Sequence, residues 1–151
     1  MNFDYKNILI MGYAKSGQAV EEIVKRLNVE YKIYDAKHKI NGGHYYAKLS
    51  RKKISDFDLI VISPGISIYN KYIVMAENMG IKVVGELEFG YWFTDSPVVA
   101  ITGTNGKTTT TRLVNNIVNT TYSSGAFGNI GNPLSCAYNQ NLDYLINLLR
   151  Y

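Results

Sequence analysis

The sequence predicts an α/β protein in which parallel strands alternate with helices. Short continuous apolar runs, typical of strands buried on both faces, are separated by stretches whose apolar residues recur at helical spacing. This alternation stops at residues 94–97, a turn-like Thr-Asp-Ser-Pro segment, and then starts again. We therefore expect a first domain over residues 1–94. Over residues 95–151 we expect the opening of a second domain that the chain does not complete.

The first domain begins with a strand and a helix that differ clearly in their hydrophobic period. The strands expected in this domain are residues 8–11, 31–34, 59–62 and 81–84. A helix should follow the first strand from Ser16, because apolar residues recur there every three or four positions. Its polar face should carry Glu21, Glu22, Lys25 and Arg26.

Further along the first domain, capping residues predict where a second helix begins and ends. Asn70 can cap a helix N-terminus and Gly80 can end the same helix. A weak helix is also expected around residues 45–52. In a parallel sheet the loops after the first three strands lie together at the carboxyl edge, where ligands of such sheets bind.

The second domain repeats the strand-then-helix order. A strand over residues 98–102 leads into a helix over residues 107–119. A weaker strand at residues 122–127, a short helix at 133–138 and an apolar run at 144–149 follow.

Composition and charge exclude several classes of protein. Of the 151 residues, 46% are hydrophobic and 19% charged, which excludes a disordered chain. The net charge of +4 is mild, and the basic run at residues 51–53 fits a solvated face, so we expect no nucleic-acid partner. No apolar stretch approaches the ~20 residues that span a bilayer. We therefore expect no membrane association and a cytoplasmic location. The single cysteine, Cys136, excludes a disulfide framework.

The strongest chemical signal is a candidate phosphate loop, Gly103-Thr104-Asn105-Gly106-Lys107-Thr108-Thr109. Glycines let the N–H groups of such a loop turn toward phosphate oxygens, and the helix N-terminus adds partial positive charge. Lys107 can reach the terminal phosphates, and the Thr108 hydroxyl can hold Mg²⁺. The loop is shorter than the general P-loop, which would have glycine at Ile101. The alternative is a glycine turn with a chance Lys-Thr pair.

A second candidate loop follows the first strand, with the sequence Gly12-Tyr13-Ala14-Lys15-Ser16-Gly17. It matches the dinucleotide-binding pattern G-x-G-x-x-G except that Ala14 replaces the middle glycine, and Asp35 lies at the end of the second strand. Ala14 would hinder the close approach of a dinucleotide pyrophosphate, which disfavours ordinary NAD binding. The pattern indicates a nucleotide site. The alternative is a tight turn that only packs the helix on the sheet.

Two other turns lie at positions where a ligand could be contacted. The segment Ser63-Pro64-Gly65-Ile66 ends the third strand, and it either lines the same ligand or only terminates the strand. Asn129, within a glycine turn at residues 128–133, can donate to a phosphate or sugar oxygen. Taken alone, that second segment is better interpreted as a bare turn.

Taken together, these motifs resemble those of the Mur ligases, the ATP-dependent amide-forming enzymes of peptidoglycan precursor synthesis. The resemblance rests on residues 101–111, 63–66 and 128–131. Residues 85–89, Gly-Glu-Leu-Glu-Phe, favour the branch that adds D-glutamate to UDP-N-acetylmuramoyl-L-alanine. The resemblance implies a Rossmann-like parallel-sheet domain followed by the start of a P-loop-type α/β domain.

The resemblance also implies a reaction and the residues that serve it. The γ-phosphate of ATP would go to the alanyl carboxylate, and the amine of D-glutamate would displace phosphate from the acyl phosphate. ATP would bind on residues 103–109, with Lys107 and Thr108 catalytic and Mg²⁺ at Thr108. The residues implied for the UDP-linked substrate are Tyr13, Ala14, Lys15, Ser16, Gly17, Asp35, Ala36, Lys37, Gly65 and, from the second domain, Asn129.

Two departures from the family pattern bear on activity. These enzymes have a Mg²⁺-ligating glutamate in a strand near the position of Asn147, followed by two serines, and this chain has neither. We also expect the rest of the central domain and the amino-acid-binding domain to be missing, so that the chain alone would not turn over. The alternative function is a non-catalytic module that binds a uridine nucleotide.

An incomplete second domain should leave apolar side chains poorly covered. We expect self-association, or disorder in roughly the last 50 residues, as a result. The side chains concerned are Leu113, Val114, Ile117, Leu145 and Ile146.

Overall fold

A computed structural model describes residues 3–37, 43–128, 130–138 and 140–149 of the chain. The chain divides into two compact units, Met1–Phe89 and Gly90–Tyr151. The segment at residues 94–97, which was expected to separate two domains, lies within the second unit. A domain division at residues 94 and 95 stays a prediction.

The first unit is a four-stranded parallel sheet with helices between the strands, as the sequence predicted. The strand order is β2-β1-β3-β4, and every neighbouring pair is parallel. Its elements are β1 (Asn7–Met11), α1 (Lys15–Leu27), β2 (Glu30–Tyr34), α2 (Arg51–Ile54), β3 (Leu59–Ile62), α3 (Lys71–Glu77), β4 (Lys82–Gly85) and the start of α4 (Glu86–Tyr91).

The two central strands explain the continuous apolar runs in the sequence. In the register of the sheet, Ile8 lies between Tyr31 of β2 and Leu59 of β3. All four residues of β3 are buried, as are the last four of β1. A strand that is covered by helices on both faces has no polar side, so its side chains do not alternate.

The helix limits follow the capping residues that the sequence offered. The Asn70 side chain accepts a hydrogen bond from the Tyr72 N–H at 3.0 Å, which caps α3. Past the end of this helix, Gly80 takes a φ of +74°, a conformation that suits glycine. The predicted helix from Asn70 to residue 79 is therefore confirmed, with slightly shorter limits.

The segment around residues 45–52 differs from the weak helix that we expected. Its first part lies beside β2, where the Tyr46 N–H donates to Ile33 at 2.8 Å and the Ile33 N–H donates to His44 at 2.7 Å. The short helix α2 begins only after Ser50, whose hydroxyl accepts from the Lys53 N–H. Pairing with an open sheet edge satisfies backbone groups that a weak local helix would otherwise satisfy.

The second unit is a smaller parallel sheet with the strand order β5-β7-β6. Its core consists of Phe127, Leu134, Ala137 and Leu145. The elements are β5 (Val98–Ile101), α5 (Lys107–Val118), β6 (Ser124–Gly128), a 3₁₀ helix (Leu134–Ala137) and β7 (Tyr144–Leu148).

The expected exposure of apolar side chains in this unit is confirmed in part. Leu113 and Ile117, on α5, are 58% and 60% exposed. The expectation is wrong for Leu145 and Ile146, which are 1% and 0% exposed. They are buried because β7 lies between β5 and β6 and is covered on both faces. Val114 is half-buried.

None of the helices in the described parts of the chain combines the length and apolar character needed to cross a bilayer.

Candidate functional site

The loop between β1 and α1 is shaped by two glycines. Gly12 has a φ of +87°, and its N–H donates to the carbonyl oxygen of Tyr34 at 2.8 Å. A Cβ on the buried Gly17 would lie 2.0 Å from the carbonyl oxygen of Gly12. Helix α1 therefore approaches the end of β1 so closely that only glycine fits at residue 17. The loop therefore does pack the helix on the sheet, which the sequence analysis gave as the alternative to a nucleotide site. This packing does not prevent the same loop from binding a ligand.

Asp35 joins the loops that follow β1 and β2. Its Oδ2 accepts a hydrogen bond from the Tyr13 N–H, and its Oδ1 accepts one from the Lys37 N–H, both at 2.7 Å. The Tyr45 hydroxyl donates to the backbone carbonyl of Asp35 at 3.1 Å. The Asp35 carboxylate thus links the loop after β1 to the loop after β2.

The third loop of the same edge is tied to the first. The Ser63 hydroxyl donates to the Gly12 carbonyl oxygen at 3.0 Å, and the Ser63 N–H donates to Met11 at 2.9 Å. Gly65, two residues further on, is exposed. The ends of β1, β2 and β3 thus meet at one edge of the sheet, as the parallel topology predicted.

The residues predicted at this edge differ in what they can offer a ligand. Gly17 and Asp35 are buried, and Tyr13 and Ser16 are half-buried. The exposed members of the set are Ala14, Lys15, Ala36, Lys37 and Gly65. A ligand at this edge would therefore meet mainly the backbone and side chains of these exposed residues, held in place by the buried ones.

A buried carboxylate beside this edge was missed from the sequence. Glu21, expected on the polar face of α1, is only 8% exposed. It accepts hydrogen bonds from the hydroxyls of Tyr13 at 2.5 Å and Tyr31 at 2.8 Å. Lys25 lies 3.3 Å from the same carboxylate. Helical spacing predicted Glu21 on the polar face of α1 together with Glu22. The contacts of Glu21 with the two tyrosines form only when α1 packs on the sheet.

These contacts perturb the ionisation of all three groups. Burial raises the pKa of Glu21, but the hydrogen bonds from Tyr13, Tyr31 and Lys25 outweigh it and hold that pKa below its usual value. The hydrogen bond to Glu21, together with burial, raises the pKa of Tyr13 to about 12. Burial and the same carboxylate raise the pKa of Tyr31. Glu21 is therefore ionised and both phenols neutral at physiological pH.

In the second unit, the candidate phosphate loop joins β5 to the N-terminus of α5. Gly103 and Gly106 have φ values of +136° and +74°, and Gly106 is the residue that precedes the helix. The Lys107 ammonium donates to the Gly103 carbonyl, and it lies 3.5 Å from the Thr104 carbonyl oxygen. The exposed residues of the loop are Gly103, Thr104, Asn105, Gly106, Thr108 and Thr109. The loop thus presents backbone N–H groups and one cation in the arrangement that suits phosphate oxygens.

The carboxylates of this unit lie at the opposite edge of its sheet. From residue 90 onward the only acidic residues are Asp95 and Asp143, which precede β5 and β7. The Asp143 carboxylate accepts a hydrogen bond from the Ser123 N–H, just before β6. The phosphate loop follows the carboxyl end of β5, so no acidic side chain among the described residues of this unit lies at the end of the sheet that carries the loop.

Asn147 lies in the middle strand of this sheet. It is buried, and its Oδ1 has no hydrogen-bond partner among the described residues. In register it lies beside Ala100 of β5 and Phe127 of β6. A Cβ on Gly128 would come within 2.5 Å of that oxygen, so the absence of a side chain at residue 128 makes room for the amide.

Two protein-family models match most of the chain. Residues 6–85 match the model of the MurD-like N-terminal domain of Mur ligases, and residues 101–150 match the Mur ligase middle domain. The chain belongs to the Mur ligase family.

Two curated relatives illustrate the match. The UDP-N-acetylmuramoylalanine–D-glutamate ligase of Lachnoclostridium phytofermentans is 36% identical over 147 residues, which cover 88% of this chain and 32% of the relative. The protein of the same name from Geobacter sp. strain M21 is 37% identical over 147 residues, with 89% and 32% coverage. The chain thus spans about a third of the length of these curated relatives.

Solved structures of Mur ligases share the fold. UDP-N-acetylmuramate:L-alanyl-γ-D-glutamyl-meso-diaminopimelate ligase from Neisseria meningitides has a TM-score of 0.55 at 17% identity and covers 95% of this chain, which covers 52% of it. UDP-N-acetylmuramate-alanine ligase from Thermotoga maritima has a TM-score of 0.54 at 19% identity, with 95% and 36% coverage. The predicted fold class, parallel α/β sheets of the Mur ligase type, is confirmed.

The phosphate loop of this Mur ligase chain has few groups that could hold a metal ion. Mg²⁺ usually takes one or two carboxylates, with water and phosphate oxygens completing its octahedron. Here the Thr108 hydroxyl is exposed and suitable, and Asn147 supplies only a neutral oxygen. No group of three or more metal-ligating side chains occurs within the described residues. Of the predicted substrate residues, Asn129 lies outside the described residues.

Proposed function

We propose that this chain is the N-terminal part of a cytoplasmic ATP-dependent ligase that adds D-glutamate to UDP-N-acetylmuramoyl-L-alanine in peptidoglycan precursor synthesis. The observation that carries the proposal is a continuous match, across both units, to relatives named UDP-N-acetylmuramoylalanine–D-glutamate ligase. Two separate sheet edges with loops suited to phosphates support it.

The UDP part of the substrate would bind at the first edge. The exposed backbone at Ala14 and Ala36 and the ammonium groups of Lys15 and Lys37 can receive the pyrophosphate and uridine. Asp35 follows β2, at the position where nucleotide-binding sheets carry an acidic residue for a ribose hydroxyl. Lys37 supplies a point charge, which would stack on a uracil ring less well than an arginine.

ATP would bind on the loop of residues 103–109. Lys107 would exchange the loop carbonyls that it now contacts for oxygens of the terminal phosphates, which are stronger acceptors. When bound, ATP supplies the phosphoryl group that activates the substrate carboxylate. Lys107 would hold that group in place and offset its charge, and Thr108 would provide the single hydroxyl ligand for Mg²⁺.

A second candidate function is a non-catalytic module that binds only the uridine nucleotide. The observation that favours it is Asn147, a neutral residue in the buried middle strand of a unit whose carboxylates lie at the other edge. Under this alternative the first edge would retain its ligand, and the phosphate loop would be a structural turn.

Calorimetry with UDP and with ATP, on the 151-residue chain, separates these functions. Binding of both nucleotides supports the ligase proposal, and UDP binding without ATP binding supports the uridine module. Failure to bind UDP would contradict both. A phosphate-release assay with UDP-N-acetylmuramoyl-L-alanine, D-glutamate and ATP should give no turnover by this chain alone.

A further inference from the structure

We propose that Glu21 is a positioning residue for the ligand loop of residues 12–17, acting through the side chain of Tyr13. The inference rests on the proposed binding of UDP at this edge. It assigns a role to a residue that does not itself belong to the proposed UDP site. Glu21 lies on the second turn of α1, away from the loop itself.

Tyr13 is held both by its backbone and by the end of its side chain. Its backbone N–H is bonded to Asp35 and its phenol hydroxyl to Glu21. The residues after it, Ala14 and Lys15, are exposed and lead into α1. Fixing both ends of Tyr13 fixes the direction in which the next N–H groups point.

The Tyr13 phenol already has a hydrogen-bond partner in Glu21. A hydroxyl that donates to a buried, ionised carboxylate forms a strong charge-assisted hydrogen bond. Breaking it would leave the Glu21 charge short of a partner in a buried position, which is costly. The Tyr13 side chain therefore supports the loop and does not contact the ligand. A ligand would contact the backbone of the loop.

The Glu21 carboxylate has a second tyrosine partner. Tyr31 of β2 donates to the other oxygen of Glu21, and its ring stacks on His44 with centroids 4.4 Å apart. Glu21 thus has one hydroxyl from the ligand loop and one from the sheet. The two tyrosines offer a matched pair of substitutions, since each removes one hydroxyl from the same carboxylate.

The test compares Tyr13→Phe with Tyr31→Phe in the full chain. We expect Tyr13→Phe to weaken UDP binding about tenfold, equivalent to ~1.4 kcal/mol, and to speed amide hydrogen exchange at residues 13–17. Tyr31→Phe should leave both measurements near the wild-type values. Glu21→Met should reproduce the effect of Tyr13→Phe, whereas Glu22→Met, at a side chain that is 65% exposed, should not.

Each outcome decides the proposal. Wild-type UDP affinity and wild-type loop exchange in folded Tyr13→Phe would overturn it, and so would equal losses in Tyr13→Phe and Tyr31→Phe. If the wild-type chain fails to bind UDP, the proposed function fails, but the exchange rates at residues 13–17 still test the positioning role. If Glu21→Met does not fold, the tyrosine pair alone decides.

Discussion

The Tyr13 N–H donates to the Asp35 carboxylate at 2.7 Å, and this bond joins loops from two neighbouring strands. Asp35 lies where nucleotide-binding sheets often carry an acidic residue for a ribose hydroxyl. Here the carboxylate also organises the backbone of the edge on which it lies. Loss of Asp35 should therefore affect both the shape of the site and its direct contact with a ligand.

Replacing Asp35 with alanine should weaken UDP binding strongly. The loop after β1 loses its anchor and a ribose hydroxyl loses a charged acceptor, whose hydrogen bond contributes about 1.5–3 kcal/mol. A drop in UDP affinity of roughly ten- to a hundredfold is therefore expected, measured by calorimetry. Asp58→Ala is the matched control, because the Asp58 carboxylate also accepts two backbone N–H bonds, from Lys6 and Asn7 at the start of β1. It should lower stability and leave UDP affinity intact. Equal affinity losses in the two variants would contradict the prediction.

Replacing Gly17 with alanine should destabilise the first unit. The new Cβ would collide with the Gly12 carbonyl oxygen and force α1 away from the sheet, at a cost of about 3 kcal/mol. Urea unfolding monitored by circular dichroism would measure it. Gly85→Ala, where a Cβ meets nothing within 4 Å, should cost little. An unchanged midpoint in Gly17→Ala would show that the helix can move without penalty.

Stability should fall at acid pH partly through Glu21. The pKa of Glu21 in the folded chain lies below its unfolded value, so its contribution is present above the unfolded pKa and is lost as pH falls through the folded one. The free-energy difference between wild type and Glu21→Met should therefore shrink as pH is lowered from neutrality through about 4.3, the ordinary pKa of glutamate, and below it. Chemical unfolding at a series of pH values measures this. A difference that stays constant with pH would contradict it.

Nucleotide binding by the second unit should depend only weakly on Mg²⁺. The described residues of the unit offer the metal the neutral Thr108 hydroxyl and no acidic side chain at the end of the sheet that carries the loop. Asn147→Glu should increase the gain in ATP affinity on adding Mg²⁺, measured by calorimetry with and without the metal. Asn147→Gln adds the same length without charge and should not increase that gain. A strong Mg²⁺ dependence in the wild-type chain would contradict this expectation.

Self-association should depend on the exposed apolar side chains of α5. The double substitution Leu113→Ser and Ile117→Ser removes the two most exposed large apolar groups of that helix. We expect a shift toward monomer in sedimentation experiments. Tyr69→Ser, at a residue of the first unit that is 82% exposed, should not change the distribution. A wild-type chain that is monomeric at all concentrations would remove the basis of this prediction.

Most of the fold could be predicted because its signals are local. The buried runs of β1 and β3, the cap at Asn70 and the stop at Gly80 depend on residues that are close in sequence. The same is true of the turn and helix start around Lys107. Parallel topology then brings the loops after β1, β2 and β3 to one edge without knowledge of any side-chain contact.

Contacts between residues far apart in the chain could not be predicted from the sequence. Helical periodicity placed Glu21 on a polar face, but the packing of α1 on the sheet buries it against Tyr31 of β2. Leu145 and Ile146 looked uncovered from the sequence, yet β7 became the middle strand of its sheet. Burial and hydrogen-bond partners are properties of neighbours in space, and a short sequence window contains neighbours in the chain alone.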